Sequence, residues 1–259
     1  LTTKIETQRV GSALILTIDG PETRNALSPE VYVAAAEALA SADRDPSVSA
    51  VVITGAGGQF CSGGMLQRLM ANRTAGPDTQ RGSIDRLHGL IDGLRSCSKP
   101  VIAAVEGSAA GAGCSLALNC DMIVASETAR FVMAYVNVGL SPDGGGSWHL
   151  VRSLPRQLAS EILMLGAPVS AAKLHQAGIV NRLVPEGQAR SAALELADQI
   201  GQRPKNVLAS LKELIGAAQT DTLTEHLLLE RESFVASLFH ANALEGLDAF
   251  LSKRKPGFT

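Results

Sequence analysis

Aromatic side chains are scarce: one Trp, two Tyr and six Phe make up 3% of the 259 residues. A core must be built from aliphatic and small residues. The 25 glycines point to backbone lying close to backbone or ligand. Long apolar runs are missing too. Val101-Ile-Ala-Ala-Val105 is typical, far short of the ~18 residues that span a bilayer, so no membrane partner is expected. There is no basic excess. Lys and Arg number 23 against 25 Asp and Glu, for a net charge of −2. A grip on a phosphate backbone is disfavoured, and nucleic acid is not expected as a partner. The cysteines, at 61, 97, 114 and 120, include no C-x-x-C pair. That argues against zinc and against a disulfide framework. Residues 1–8 carry no apolar run behind a basic segment and do not read as a secretory signal. A reduced, cytoplasmic protein is expected.

Absent motifs narrow the chemistry further. No G-x-G-x-x-G follows a strand, and the phosphate-binding G-x-x-x-x-G-K-[ST] is missing, which disfavours nucleotide chemistry. No G-x-S-x-G elbow offers a hydrolase serine. His149, His175, His226 and His240 lack ligand spacing, so no metal site is expected.

What is present is a rhythm of strands and helices. Residues 3–9 and 12–18 read as strands. Ser28-Pro29 opens a helix to about Asp43, with Ser28 able to cap it. Apolar, β-branched runs at 49–54 and 100–106 read as buried parallel strands, and 121–125 and 129–133 as further strands. A helix is expected over 65–73, a loop over 74–79, and helices over 80–97 and 113–119. From about 145 the spacing turns helical, interrupted by a strand at 180–184. The fold class is therefore α/β with a mainly parallel sheet. Residues 1–190 form the α/β part and 191–259 a helical part.

Two glycine-rich loops each follow an apolar strand and precede a helix. One is Gly55-Ala-Gly-Gly-Gln-Phe-Cys-Ser-Gly-Gly64, the other Gly107-Ser-Ala-Ala-Gly-Ala-Gly-Cys114. Free N–H groups at a helix start suit an anionic oxygen, and two converging on one carbonyl make an oxyanion hole. Packing alone also produces such turns. Pro142-Asp143-Gly144 is the third feature. Asp143 can serve as an acid/base near an oxyanion hole, or simply cap the following helix. His88, on the helix before the second loop, reads as a surface or half-buried residue. Cys61 and Cys114 have no basic partner and read as small packing residues.

Together these features resemble the crotonase superfamily, the enoyl-CoA hydratase/isomerase proteins. The motifs that carry the likeness are Pro21-Glu-Thr-Arg-Asn-Ala-Leu-Ser28, Phe60-Cys-Ser-Gly-Gly64, Lys99-Pro-Val-Ile-Ala-Ala-Val-Glu-Gly107, Ala110-Gly-Ala-Gly113, Asp121 and Glu245–Pro256. The resemblance implies a spiral of ββα units whose helical C-terminal region builds trimers or hexamers. It implies that residues 1–190 bind acyl-CoA, with the N–H groups of Gly64 and Ala112 as oxyanion donors. It also implies substrate or CoA contacts at Arg24, Ala26, Ser62, Gly63, Met65, Gly111, Tyr135, Val138 and Pro142.

Ser115 and Tyr135 stand where hydratases of the family carry their two glutamates, and Met65 replaces an acid. Asp143 matches members with a catalytic Asp there. Phe131–Ala134 and Gly139–Trp148 resemble the phenylacetate-pathway branch of ring isomerases and oxepin-CoA hydrolases. The expected function is double-bond migration in an acyl-CoA through Asp143. No metal or redox cofactor is expected, with CoA entering as part of the substrate. Three alternatives stand beside it: hydration or ring-opening at the same site, 4-chlorobenzoyl-CoA dehalogenase-like displacement through Asp143 and His88, and acyl-CoA binding without turnover.

Overall fold

The computed structural model describes residues 2–258. Its elements run β1 (Lys4–Val10), β2 (Ala13–Asp19), α1 (Pro29–Arg44), β3 (Ala50–Gly55), α2 (Leu66–Ala75), α3 (Pro77–Ser96), β4 (Val101–Val105), β5 (Ser108–Ala110), α4 (Ala112–Leu118), β6 (Met122–Ser126) and β7 (Arg130–Val132). Then come α5 (Gly146–Ser153), α6 (Arg156–Leu165), β8 (Val169–Ser170), α7 (Ala171–Gln176) and β9 (Arg182–Val184). Four helices close the chain: α8 (Ala189–Gly201), α9 (Lys205–Ala217), α10 (Leu223–Leu238) and α11 (Ala241–Leu251).

A six-stranded sheet has the order β1-β2-β3-β4-β6-β9, parallel except for the β1–β2 hairpin. A small sheet, β5-β7-β8, stands beside it, and Cys61 pairs with Ala109 at its edge. So each of β3, β4 and β6 is followed by a short extended segment of the small sheet and then a helix. Three successive turns of a spiral result, and they place residues 61–65, 109–112 and 131–135 side by side.

Alternation along the strands divides the core between two faces. Val51, Ile53, Val101, Ala103, Val105 and Ile123 face the larger cluster with α1 and α3. Ala50, Val52, Ile102, Ala104 and Val124 face α8. Burial on both faces explains why these strands read as continuous apolar runs. On α8, Ala189, Ala193 and Ala197 form a small-residue stripe against the sheet. Lys212 of α9 fastens the next helix to the core. Its Nζ donates to the Leu94 and Lys99 carbonyls and lies 2.8 Å from Asp121 Oδ2, which also accepts the Val101 N–H.

The helices α9 and α10 bury no residue in the single chain. Leu223, Phe234, Phe239, Leu244, Phe250 and Leu251 are all more than two-thirds exposed. Among the described residues, no helix is long and apolar enough to cross a membrane.

Three local expectations need correction. Residues 74–79 are not a loop: Gly76 alone breaks the chain, and Pro77 opens α3 as an N1 proline with Asp78 in its first turn. Ser28 sits at the N-cap of α1 but makes no capping bond; its hydroxyl serves the Glu30 carboxylate. Asp143 does not cap α5, whose N-cap is Gly145. The short strands β5 and β8, and the 3-10 turns Pro21–Thr23 and Ala134–Val138, carry no periodic signal to read.

Candidate active site

The first glycine loop is held between two neighbours. Leu27 pairs with Gly64: the Leu27 N–H donates to the Gly63 carbonyl (2.7 Å) and the Met65 N–H to the Leu27 carbonyl (3.2 Å). In such a bridge the N–H of the central residue points the other way. The Gly64 N–H therefore faces away from Leu27. On that side lies the second loop. A Cβ on Gly63, whose φ is +93°, would fall 2.7 Å from the Ala110 carbonyl and 3.3 Å from the Ala112 nitrogen. Only glycine allows both that conformation and that approach. Gly111 lies against Gly63 and the Tyr135 ring. Ala112 is the first residue of α4, so its N–H has no intrahelical acceptor. Among the described residues neither the Gly64 nor the Ala112 N–H donates a hydrogen bond.

The third turn brings the acid. The Tyr135 hydroxyl donates to Asp143 Oδ1 at 2.6 Å, and the Ser115 hydroxyl donates to the Asp143 main-chain carbonyl at 2.9 Å. The two hydroxyl oxygens are 3.2 Å apart. Oδ2 of Asp143 has no partner among the described residues. Burial raises the Asp143 carboxyl above its ordinary range, and the Tyr135 hydrogen bond and the nearby His88 partly offset this. Burial and then the Asp143 charge push the Tyr135 phenol up, so it stays a neutral donor.

The loop that carries Asp143 is clasped to α4. Asn119 Nδ2 donates to the carbonyls of Ser115 (2.8 Å) and Gly144 (2.7 Å). With both amide hydrogens so used, the Asn119 oxygen faces His149 Nε2 at 2.9 Å, which places the ring proton on that nitrogen. Burial, followed by Arg95 and Arg152, lowers the His149 pKa and keeps the ring neutral.

Arg24 and Ala26 lie on the turn stitched to the first loop. The Ser62 N–H donates to the Arg24 carbonyl (3.0 Å), and the Ser62 hydroxyl to the Thr23 carbonyl (3.1 Å). Asn25 locks the turn: its Nδ2 donates to the Ala56 and Gln59 carbonyls and its Oδ1 accepts the Gly20 N–H. Gly63, Gly64, Met65, Gly111, Ala112, Tyr135, Pro142 and Asp143 thus come together. Val138 is 52% exposed at the end of its 3-10 turn. His88 is exposed and makes no side-chain hydrogen bond among the described residues; only its charge reaches Asp143. Cys61 and Cys114 are buried, and desolvation pushes both thiols up to about 12, as suits packing residues. Sequence reasoning missed the clasp made by Asn119 and His149. Each sits in an ordinary helical pattern, and only the packing reveals its neighbours.

Two free N–H groups and a buried carboxyl, set on successive turns of a ββα spiral, are groups of the kind that can stabilise an oxyanion and move a proton. A model of the enoyl-CoA hydratase/isomerase family matches residues 8–259, and the chain belongs to that family, an enzyme family with the crotonase fold. The 1,2-epoxyphenylacetyl-CoA isomerase of Escherichia coli is 38% identical over 95% of this chain and 94% of its own. The 2,3-dehydroadipyl-CoA hydratase of the same organism is 36% identical with equal coverage. The crystal structure of an enoyl-CoA hydratase from Polaromonas sp. superposes with a TM-score of 0.97 at 55% identity, covering 99% of this chain and 100% of that one.

Proposed function

We propose that this protein is an acyl-CoA isomerase that moves a double bond by proton transfer through Asp143. The N–H groups of Gly64 and Ala112 hold the thioester oxygen and stabilise the enolate. Asp143 Oδ2 removes a proton from carbon, and the resulting acid returns it at another carbon. Tyr135 fixes Oδ1 and leaves one oxygen for chemistry. CoA, as part of the substrate, lies along the turn of Arg24, Ala26 and Ser62. Proton transfer to an enolate needs neither a metal nor a redox cofactor. Residues 1–190 carry this site, and the apolar faces of 191–259 meet other copies in a trimer or a pair of trimers.

The observation that carries this reading is the hydrogen bonding at the third turn. The positions that would have to activate water hold the hydroxyls of Ser115 and Tyr135, both turned toward Asp143. One carboxylate is left, enough to take and return one proton, whereas hydration ordinarily uses two such groups. The 1,2-epoxyphenylacetyl-CoA isomerase name of a relative supports it.

The second reading is hydration, with water ordered by Asp143. The similarity to the Polaromonas enoyl-CoA hydratase and to 2,3-dehydroadipyl-CoA hydratase favours it. A panel of enoyl-CoA esters in heavy water separates the two. Isomerisation gives a product of unchanged composition apart from exchanged deuterium, and hydration adds the mass of water. Asp143→Asn is nearly isosteric, so it should fold and still bind CoA esters while turnover falls about 10²–10⁴-fold. Exchange of substrate protons at the parent rate in that variant would reject Asp143 as the base.

A further inference from the structure

Consecutive carbonyls run on from the acid, and each is held. The Asp143 carbonyl accepts the Ser115 hydroxyl at 2.9 Å, the Gly144 carbonyl accepts Asn119 Nδ2 at 2.7 Å, and the Gly145 carbonyl accepts the His149 main-chain N–H at 3.0 Å. Ser115 on α4 and Asn119 at its C-cap stand one turn apart, so the first two anchors come from one helix. The other anchor comes from α5, and its residue reaches back. His149 Nε2 lies 2.9 Å from Asn119 Oδ1. The bonds therefore close a circuit. It runs from the Gly144 carbonyl to the Asn119 amide, from the Asn119 oxygen to the His149 ring, and from the His149 main chain to the Gly145 carbonyl. Gly145, at φ +77°, lies against both side chains. A Cβ there would fall 3.5 and 3.6 Å from the Asn119 amide atoms and 3.8 Å from His149 Cδ2.

The circuit needs His149 as a donor. Asn119 is buried, and its amide nitrogen serves two carbonyls, so its oxygen depends on the ring proton of His149. Without that proton a buried acceptor has no partner. The amide then turns toward water or another donor, and the Gly144 carbonyl, one peptide from Asp143, loses a fixed anchor. The ring itself is held in place. Trp148 meets it edge-on, with centroids 4.9 Å apart and planes at 79°, and Arg152 Cζ lies 4.1 Å from the centre of the indole. Among the described residues the carboxylate of Asp143 bonds to Tyr135 and not to His149.

We propose that His149 is a positioning residue for the proton transfer: by donating its Nε2 proton to Asn119 it closes the circuit that aims Asp143 at the substrate carbon. The inference rests on the reading of Asp143 as the base. It gives His149 no proton to exchange with substrate. Reacting groups displaced by about 1 Å lose about 100-fold in rate, and one lost hydrogen bond behind the loop should account for about a tenfold loss. Binding of the ester uses the oxyanion donors and the Arg24 turn, so KM should change little.

The test uses His149→Leu, which removes the donor and keeps bulk, and His149→Gln, whose amide nitrogen can stand where Nε2 stood. The probe is 3-hexenoyl-CoA in heavy water. In His149→Leu, kcat and proton exchange should fall about tenfold with KM little changed, and His149→Gln should recover most of the loss. Adding His149→Leu to Asn119→Ala should cost nothing further, because both break the same circuit. Nitrogen NMR of the unliganded parent protein at neutral pH should find the His149 proton on Nε2, a measurement that needs no variant to fold. Parent kcat in His149→Leu, a loss that Gln does not repair and that adds to that of Asn119→Ala, or a ring proton on Nδ1 would each overturn the role of His149 while leaving Asp143 as the base. If the parent protein neither isomerises 3-hexenoyl-CoA nor exchanges its protons, the isomerase reading fails, and this inference with it.

Discussion

Tyr135 and Asp143 act as one unit. The phenol stabilises the ionised carboxylate, so it opposes the upward push of burial. Activity that depends on ionised Asp143 should show an acid limb above the ordinary carboxylate range. Tyr135→Phe removes the stabilising donor, so the limb should move to higher pH. Turnover at the plateau should drop roughly tenfold as the carboxylate loses its fixed orientation. A pH profile of kcat/KM measures both effects. An unmoved limb would mean that the hydrogen bond does not govern the proton affinity of the base. Ser115 alone could not replace this donor, because its hydroxyl is engaged by the Asp143 main chain.

At the scale of elements, the clasp between α4 and the 143–145 loop is the part most open to attack. Asn119→Ala would leave the His149 N–H and the Gly144 carbonyl without their partner, while the Ser115 carbonyl keeps the main-chain N–H of residue 119, at a cost of about 1–3 kcal/mol per unsatisfied buried group. The acid would then shift relative to Ala112, and displacements of that kind cost about 10–100-fold in rate. We expect kcat to fall with KM little changed, and thermal melting to lose several degrees. A folded variant with full kcat would show that the loop holds itself. A second prediction concerns the first loop. Gly63→Ala must tolerate both a left-handed backbone and a clash with the Ala110 carbonyl, so stability and turnover should fall together. A variant as stable and active as the parent would contradict the close approach.

The same elements show what the sequence could reveal. The strands β3 and β4 were legible because burial on both faces leaves an unbroken apolar run. The glycine loops were legible because close approach admits little else. Asp143 stood out as a carboxylate among glycines, although its two possible uses could be separated only by the structure. Short strands such as β8, two residues long, hold no period to detect. Asn119 was hidden for another reason. An asparagine in a helix says nothing about which distant loop it meets, and that meeting depends on the spiral being wound.

For the molecule as a whole, the exposed faces of α9, α10 and α11 dominate. Phe239 at 84% and Phe250 at 83% exposure, with Leu223 and Leu251 close behind, form a surface that a lone chain in water would not keep. These faces support the proposed assembly of three or six chains, for which sedimentation at micromolar concentration should show no monomer. A monomeric species stable at that concentration would rule it out.

The helix α4 has one more consequence, and it concerns timing. Its first residue offers the Ala112 donor, while Ser115 and Asn119, within two turns, hold the loop of the acid. Donor and acid are therefore measured from the same short rod. Their separation is set as the chain folds. On the proposed function, a thioester would meet the donor and the acid already spaced by α4.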